Sequence, residues 1–154
     1  MKGFIKSLFL NFSLIAALSA VVVNQIVKLL VYWIKEKELN LEHLFEAGGM
    51  PSAHAAMVCA LSTTIGLSYG FSSPIFAVTV AFSLIVIYDA VGVRRATGKQ
   101  SIILNKIVED IYKTGTISHE RLSELMGHSP IEVFWGAILG ILVALALYFI
   151  FYLP

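Results

Sequence analysis

The sequence predicts an all-α fold: an integral membrane helical bundle with about four transmembrane helices and short amphipathic helices on the cytoplasmic side. Three observations carry that prediction. Of 154 residues, 58% are hydrophobic and only 14% charged, whereas a soluble domain carries about 25% charged residues. Four apolar runs reach or approach the roughly 20 residues that a spanning helix needs. The basic residues gather in two long connections between those runs. At this length the chain forms a single membrane-embedded domain, residues 1–154.

The first run, Ser7 to Val27, is uncharged and continues past Lys28 to Ile34. Lys2 and Lys6 precede it as they would a secretion signal, but the apolar stretch is too long for a signal h-region, so it reads as a retained span. The second, Pro51 to Phe71, carries no ionisable side chain of note beyond His54. The third, Pro74 to Val93, is apolar until Asp89, and the fourth, Val133 to Pro154, is uncharged. In "QSIILNKIVEDIYK", Ile103, Leu104, Ile107, Val108 and Ile111 share one helical face, opposite Lys106, Glu109, Asp110 and Lys113. That stretch predicts an amphipathic helix lying on the membrane surface or covering the bundle. Ser118 is positioned to cap a further short helix ending at Gly127.

Four spans place the connections Lys35–Met50 and Arg94–Ser129 on one side. Those connections hold Lys35, Lys37, Arg94, Arg95, Lys99, Lys106, Lys113 and Arg121, against Lys2 and Lys6 on the other side. The positive-inside rule makes the long connections cytoplasmic and both termini external, with the plasma membrane as the expected location. A net charge of +1 without a basic run or an aromatic platform implies no nucleic-acid partner. Cys59 is the lone cysteine, so no intramolecular disulfide forms, and among Ala, Val and Leu it reads as a small core residue.

One set of polar and charged residues falls at the same end of all four helices. Asn24, Gln25 and Lys28 share one face of the first span, Ser52 and His54 open the second, Asp89, Arg94 and Arg95 close the third, and His128, Ser129 and Glu132 open the fourth. Each has an ordinary structural reading. Pro51 and Pro130 suit a first helical turn, Ser129-Pro130-Ile131-Glu132 is a capping box, an isolated Lys28 snorkels, and the arginines act as topology determinants or headgroup contacts. The combination asks for more. Gly48-Gly49 ahead of Pro51 allows a close backbone approach to a helix N-terminus, which favours an anion, and Gly127-His128-Ser129-Pro130 repeats that logic. Two helix N-termini, two arginines and a lysine suit a doubly negative group, and two histidines supply a nucleophile and a proton donor. No GxGxxG, P-loop, HExxH or CxxC is present, so neither a nucleotide nor a metal is expected, nor any other cofactor.

At this point the residues resemble a family. "PSAH", Pro51 to His54, is similar to the Pro-Ser-Gly-His motif of the type 2 phosphatidic acid phosphatases, which share a superfamily with vanadium-dependent haloperoxidases. "HSPIEV", His128 to Val133, is similar to their His-x-x-x-Asp-Val motif, with Glu132 in the aspartate's place. With "GGMPSAHAA", "YDAVGVRRATGKQ" and "GHSPIEVFWGAILG", most of the chain resembles the small divergent branch of that family. The resemblance implies His128 as nucleophile, Glu132 as its orienting partner and His54 as general acid and later base. It implies Ser52, Gly49 and neighbouring N–H groups as phosphate holders, with Arg94 or Arg95 and Lys28 as the cations. Asp89 and Gln25 would support them, Asp89 by pairing with an arginine. The sequence departs from the family at Ala53, which replaces a glycine, and in the more than thirty residues between Arg95 and His128.

The expected function is metal-independent hydrolysis of a lipid phosphate monoester or diphosphate through a phosphohistidine, at a cytoplasmic site within the bilayer. The rival reading is a non-catalytic membrane protein that binds anionic lipid headgroups through the same basic layer. "GAILG", with Gly136 and Gly140, is a close-packing motif that serves equally within one chain or between two, which leaves a homo-oligomer open.

Overall fold

A computed structural model describes residues 10–37, 49–113 and 128–152, with residues 93–97, 99, 110, 112 and 113 described by backbone alone. Five helices make up the described residues: α1 (Phe12–Glu36), α2 (Ala53–Tyr69), α3 (Pro74–Val91), α4 (Val93–Lys113) and α5 (Pro130–Tyr152). The stretch before residue 10 and the expected helix after Ser118 lie outside the described residues.

The helices begin and end where local chemistry dictates. Asn11 Oδ1 accepts from the Leu14 amide at 3.1 Å to start α1. Its end is Lys37, in the left-handed conformation, whose amide donates to the Trp33 carbonyl. Ser52 caps α2, so the helix begins at Ala53, two residues after the start of its apolar run, and Pro51 is part of the approach. Gly70, at φ +88°, ends α2. Ser73 and Pro74 then restart the chain as α3, with Ser73 Oγ accepting from the Phe76 amide. Gly92 interrupts the chain before α4. The sequence placed Arg94–Lys99 in a connection. They form the first turns of α4 instead, because no proline follows Gly92 to stop the helix.

Three helices, α1, α3 and α5, are long and apolar enough to cross a membrane. The fourth expected span, α2, has 17 residues, about 26 Å at 1.5 Å per residue, and sits just under the roughly 30 Å hydrocarbon core. It is also the centre of the bundle, packed against α1, α3 and α5. The reason is composition. Ala20 of α1, Ala56 and Ala60 of α2, and Ala144 of α5 are fully buried against one another, and small residues let backbones approach closely where lipid supplies no hydrophobic drive. A Cβ on Gly136 would collide with the Ser52 carbonyl oxygen, and one on Gly140 with the Ala56 carbonyl oxygen. The GxxxG motif of α5 therefore serves contact within the chain, with α2 as its partner. Large apolar side chains such as Val22, Ile26, Val78, Phe82, Ile85 and Ile150 are exposed on the outside, the pattern that a lipid solvent requires.

Ser62 of α2 and Ser83 of α3 meet at 2.8 Å inside this apolar packing. The Ser83 hydroxyl also lies 2.8 Å from the Thr79 carbonyl and 3.1 Å from that of Val58. One hydroxyl carries one proton, so Ser62 donates to Ser83 while Ser83 donates to a carbonyl. Cys59, nearby on α2, is half-buried rather than a core residue.

Candidate active site

The site is built at the end of the bundle where α1 finishes and α2 and α5 begin. Its first component is the α5 N-terminus. Glu132 Oε2 accepts from the Ser129 amide at 3.1 Å, and Ser129 Oγ receives the Glu132 amide at 3.4 Å, the reciprocal capping box read from the sequence. The same Oε2 lies 3.1 Å from His128 Nδ1. Capping and orienting a histidine are thus not alternatives for Glu132, since one oxygen does both. A proton on Nδ1 shared with the carboxylate leaves Nε2 with its lone pair. His128 itself is 5% exposed.

The second component is the start of α2. The Ser52 amide donates to the Glu132 carbonyl at 3.0 Å, which fixes the first turn of α2 against the first turn of α5. The close approach at Gly136 reinforces that contact. Ser52 is fully buried, and its hydroxyl caps the Ala55 amide at 3.4 Å. The exposed ring of His54 then stands edge-on to His128, with centroids 6.1 Å apart.

The third component comes from α1. Lys28 is 3% exposed, so it does not snorkel, and its Nζ lies 6.0 Å from the Tyr32 ring centroid. A buried ammonium needs partners of this kind. Gly49 passes directly over Lys28: at φ +87°, its absent Cβ would fall 2.8 Å from Lys28 Cε and 2.8 Å from the Tyr32 hydroxyl. Only glycine satisfies both the left-handed backbone and that clearance. Asn24, fully buried, donates from Nδ2 to the Pro51 carbonyl at 3.0 Å and so ties α1 to the turn that precedes Ser52. Its Oδ1 is also buried and accepts no hydrogen bond among the described residues.

The structure thus brings together His128, Glu132, His54, Ser52, Lys28 and Gly49. Gln25 is half-buried on α1 beside Asn24. Asp89, also half-buried, reaches the same end through Ala90, which packs with Ala55 and Val133. The backbone of Arg94 and Arg95 lies in the first turn of α4, and their side chains are outside the described residues. Two contributors went unassigned in the sequence: Asn24 as a tether and Tyr32 as the aromatic neighbour of Lys28. Their signal was the helical register, since Asn24, Lys28 and Tyr32 follow at i, i+4 and i+8 on one face.

A helical membrane bundle that joins a histidine–carboxylate pair, a second histidine and a buried lysine at one end defines the class: an integral membrane protein with a histidine cluster between its helices. The chain belongs to the divergent PAP2 family, whose model matches residues 9–143. It is 38% identical over 155 residues to the uncharacterized membrane protein YuiD of Bacillus subtilis (strain 168), covering 94% of this chain and 98% of that protein. No solved structure matches it. The resemblance carried by "PSAH" and "HSPIEV" is thereby confirmed at the level of family.

Proposed function

We propose that this protein hydrolyses a lipid phosphate monoester or diphosphate through a phosphohistidine. The observation that carries the reading is the His128 Nδ1–Glu132 Oε2 contact at 3.1 Å with the His54 ring 6.1 Å across from His128. A site that only bound anions would need the basic residues and not this pair. In the first step His128 Nε2 forms a bond to phosphorus, the phosphorus–oxygen bond to the lipid breaks, and His54 gives its proton to the departing oxygen. In the second, His54 takes a proton from water as the water oxygen bonds to phosphorus, and the phosphorus–nitrogen bond breaks. Phosphoryl transfer depends chiefly on positioning and electrostatics. Lys28, the α2 N-terminus, and Arg94 or Arg95 supply positive potential to the transferred group.

A cleft of about 450 Å³ between α2, α3 and α5, lined by Cys59, Leu67, Phe76, Leu84 and Ile87 among others, supports a lipid as the substrate. It runs along the middle of the bundle, from Cys59, Ile87 and Ile141 to Phe71 at the end away from the site, and suits an acyl or isoprenoid tail. The basic bias of the long connections supports a plasma-membrane protein with this site on the cytoplasmic side.

The test is phosphate release from a panel of purified lipid phosphates by the detergent-solubilised protein, with rapid quenching to trap the intermediate. Turnover with an acid-labile, base-stable adduct that disappears in His128→Ala is the expected result. Glu132→Gln retains an oxygen for the cap and loses the charge that steadies a protonated His128, so activity falls while the melting temperature holds. Full turnover in His128→Ala would return the site to the binding of anionic headgroups.

A further inference from the structure

The helix after Gly92 is built the wrong way round for a helix in water. Its covered face is small and polar: Gly98 and Asn105 are buried, Asn105 to 7% exposure, and Ser101 beside them is half-buried. Its outward face is apolar, with Ile103, Leu104 and Ile107 exposed at 59%, 48% and 48%. At about 100° per residue those three side chains occupy one arc of roughly 100°, on the far side of the helix from Asn105. Among the described helices, α4 touches only α3.

The charges are segregated as well. By the same register, positions 95, 99, 106 and 113 fall in a stripe roughly 40° wide along one flank of the apolar arc, and all four are Arg or Lys. Over Val93–Lys113 five basic residues stand against Glu109 and Asp110, a net charge of +3. The place of α4 in the chain is equally constrained. Gly92 alone separates it from α3, a helix apolar and long enough to span the bilayer, so α4 begins at a membrane boundary. Asn105, twelve residues after Val93, is buried, so one face of the helix is covered there while the opposite, apolar face is exposed.

We infer that α4 is an interfacial helix whose Ile103–Leu104–Ile107 face enters the headgroup and upper acyl region of the bilayer, with its cationic flank on anionic lipid headgroups. An apolar arc bordered by Lys and Arg is the pattern of helices that lie in the membrane plane. Each lysine close to an anionic surface favours the seated position by about fivefold. The helix would form a shelf of anionic lipid beside the histidine site, and this inference holds whether or not that site is catalytic.

The experiment uses the full chain in nanodiscs, with Cys59→Ala as background. Single cysteines at Ile103, Ile107 and Lys106 carry spin labels, and collisions with oxygen are compared with collisions with a water-soluble nickel chelate. In discs containing phosphatidylglycerol, oxygen should dominate at 103 and 107 and the chelate at 106. Discs of phosphatidylcholine alone, or a Lys99→Gln/Lys106→Gln pair (on which only 103 and 107 are labelled), should shift 103 and 107 toward the chelate. Chelate access at 103 and 107 in anionic discs would overturn the inference. So would low access to both reagents with disulfide cross-linking between copies, which would make a second chain the cover. Equal depth in both lipids would remove the anionic headgroup from it.

Discussion

The two ends of this bundle are held together by different physics. At the histidine end the links are directional: Asn24 to the Pro51 carbonyl, the Ser52 amide to the Glu132 carbonyl, Glu132 to both Ser129 and His128. At the opposite end the contacts are aromatic edges, with Phe12 against Tyr148, Phe151 and Tyr152 at 5.0 to 6.2 Å, and Phe71 against Phe76 at 5.2 Å. Ring contacts tolerate small shifts in helix position, whereas buried hydrogen bonds in an apolar medium do not. The difference teaches where atomic placement matters to this protein. It is at the end where a wrong angle would separate His54 from His128.

That contrast is sharpest if function and stability can be separated at the histidine end. His54 is exposed and supports no described packing cluster, so His54→Ala should leave the melting temperature intact while turnover falls by about 10²–10⁴-fold, the usual worth of a general acid–base group. Equal activity in the variant would assign His54 to the protein surface.

Next in size is Gly136→Ala. The added methyl meets the Ser52 carbonyl oxygen, and overpacking of this kind costs about 1–3 kcal/mol. Ile150→Ala at the far end, where the side chain is exposed to lipid, should change stability by no more than about 0.5 kcal/mol. Thermal unfolding in detergent compares the two, and similar losses would erase the distinction between the ends.

Asn24→Leu removes the hydrogen bond that the Pro51 carbonyl receives from α1 and leaves that acceptor buried, at a cost of about 1–3 kcal/mol. Because the tether sets the turn before Ser52, protection of the Ser52 amide from hydrogen exchange should fall with it. A stability loss with unchanged Ser52 protection would make Asn24 a packing residue only. A smaller effect than that of Asn24→Leu belongs to the middle of the bundle: Ser83→Ala breaks the Ser62 link, and interhelical hydrogen bonds in bilayers average about 0.6 kcal/mol. A loss there as large as that of Asn24→Leu would show that polar links matter equally along the whole bundle.

By itself the sequence determined that the chain is helical and membrane-embedded, because apolar run lengths and the scarcity of charge leave no other solution in water or lipid. It also set the helix start at Ser129, whose capping box acts within three residues of itself, and it brought His54, His128, Glu132 and Lys28 to one level. Tertiary structure alone decided three things. It placed α2 at the centre of the bundle, because alanine and glycine packing depends on which helices face one another. It turned GxxxG inward to α2, a choice that the motif leaves open. It also gave Glu132 both its tasks and Asn24 its tether, because those bonds join segments 27 or more residues apart or depend on the angle at which a ring meets a carboxylate. Register along one helix is fixed by a repeat of 3.6 residues, but no repeat specifies the angle or depth at which two helices cross.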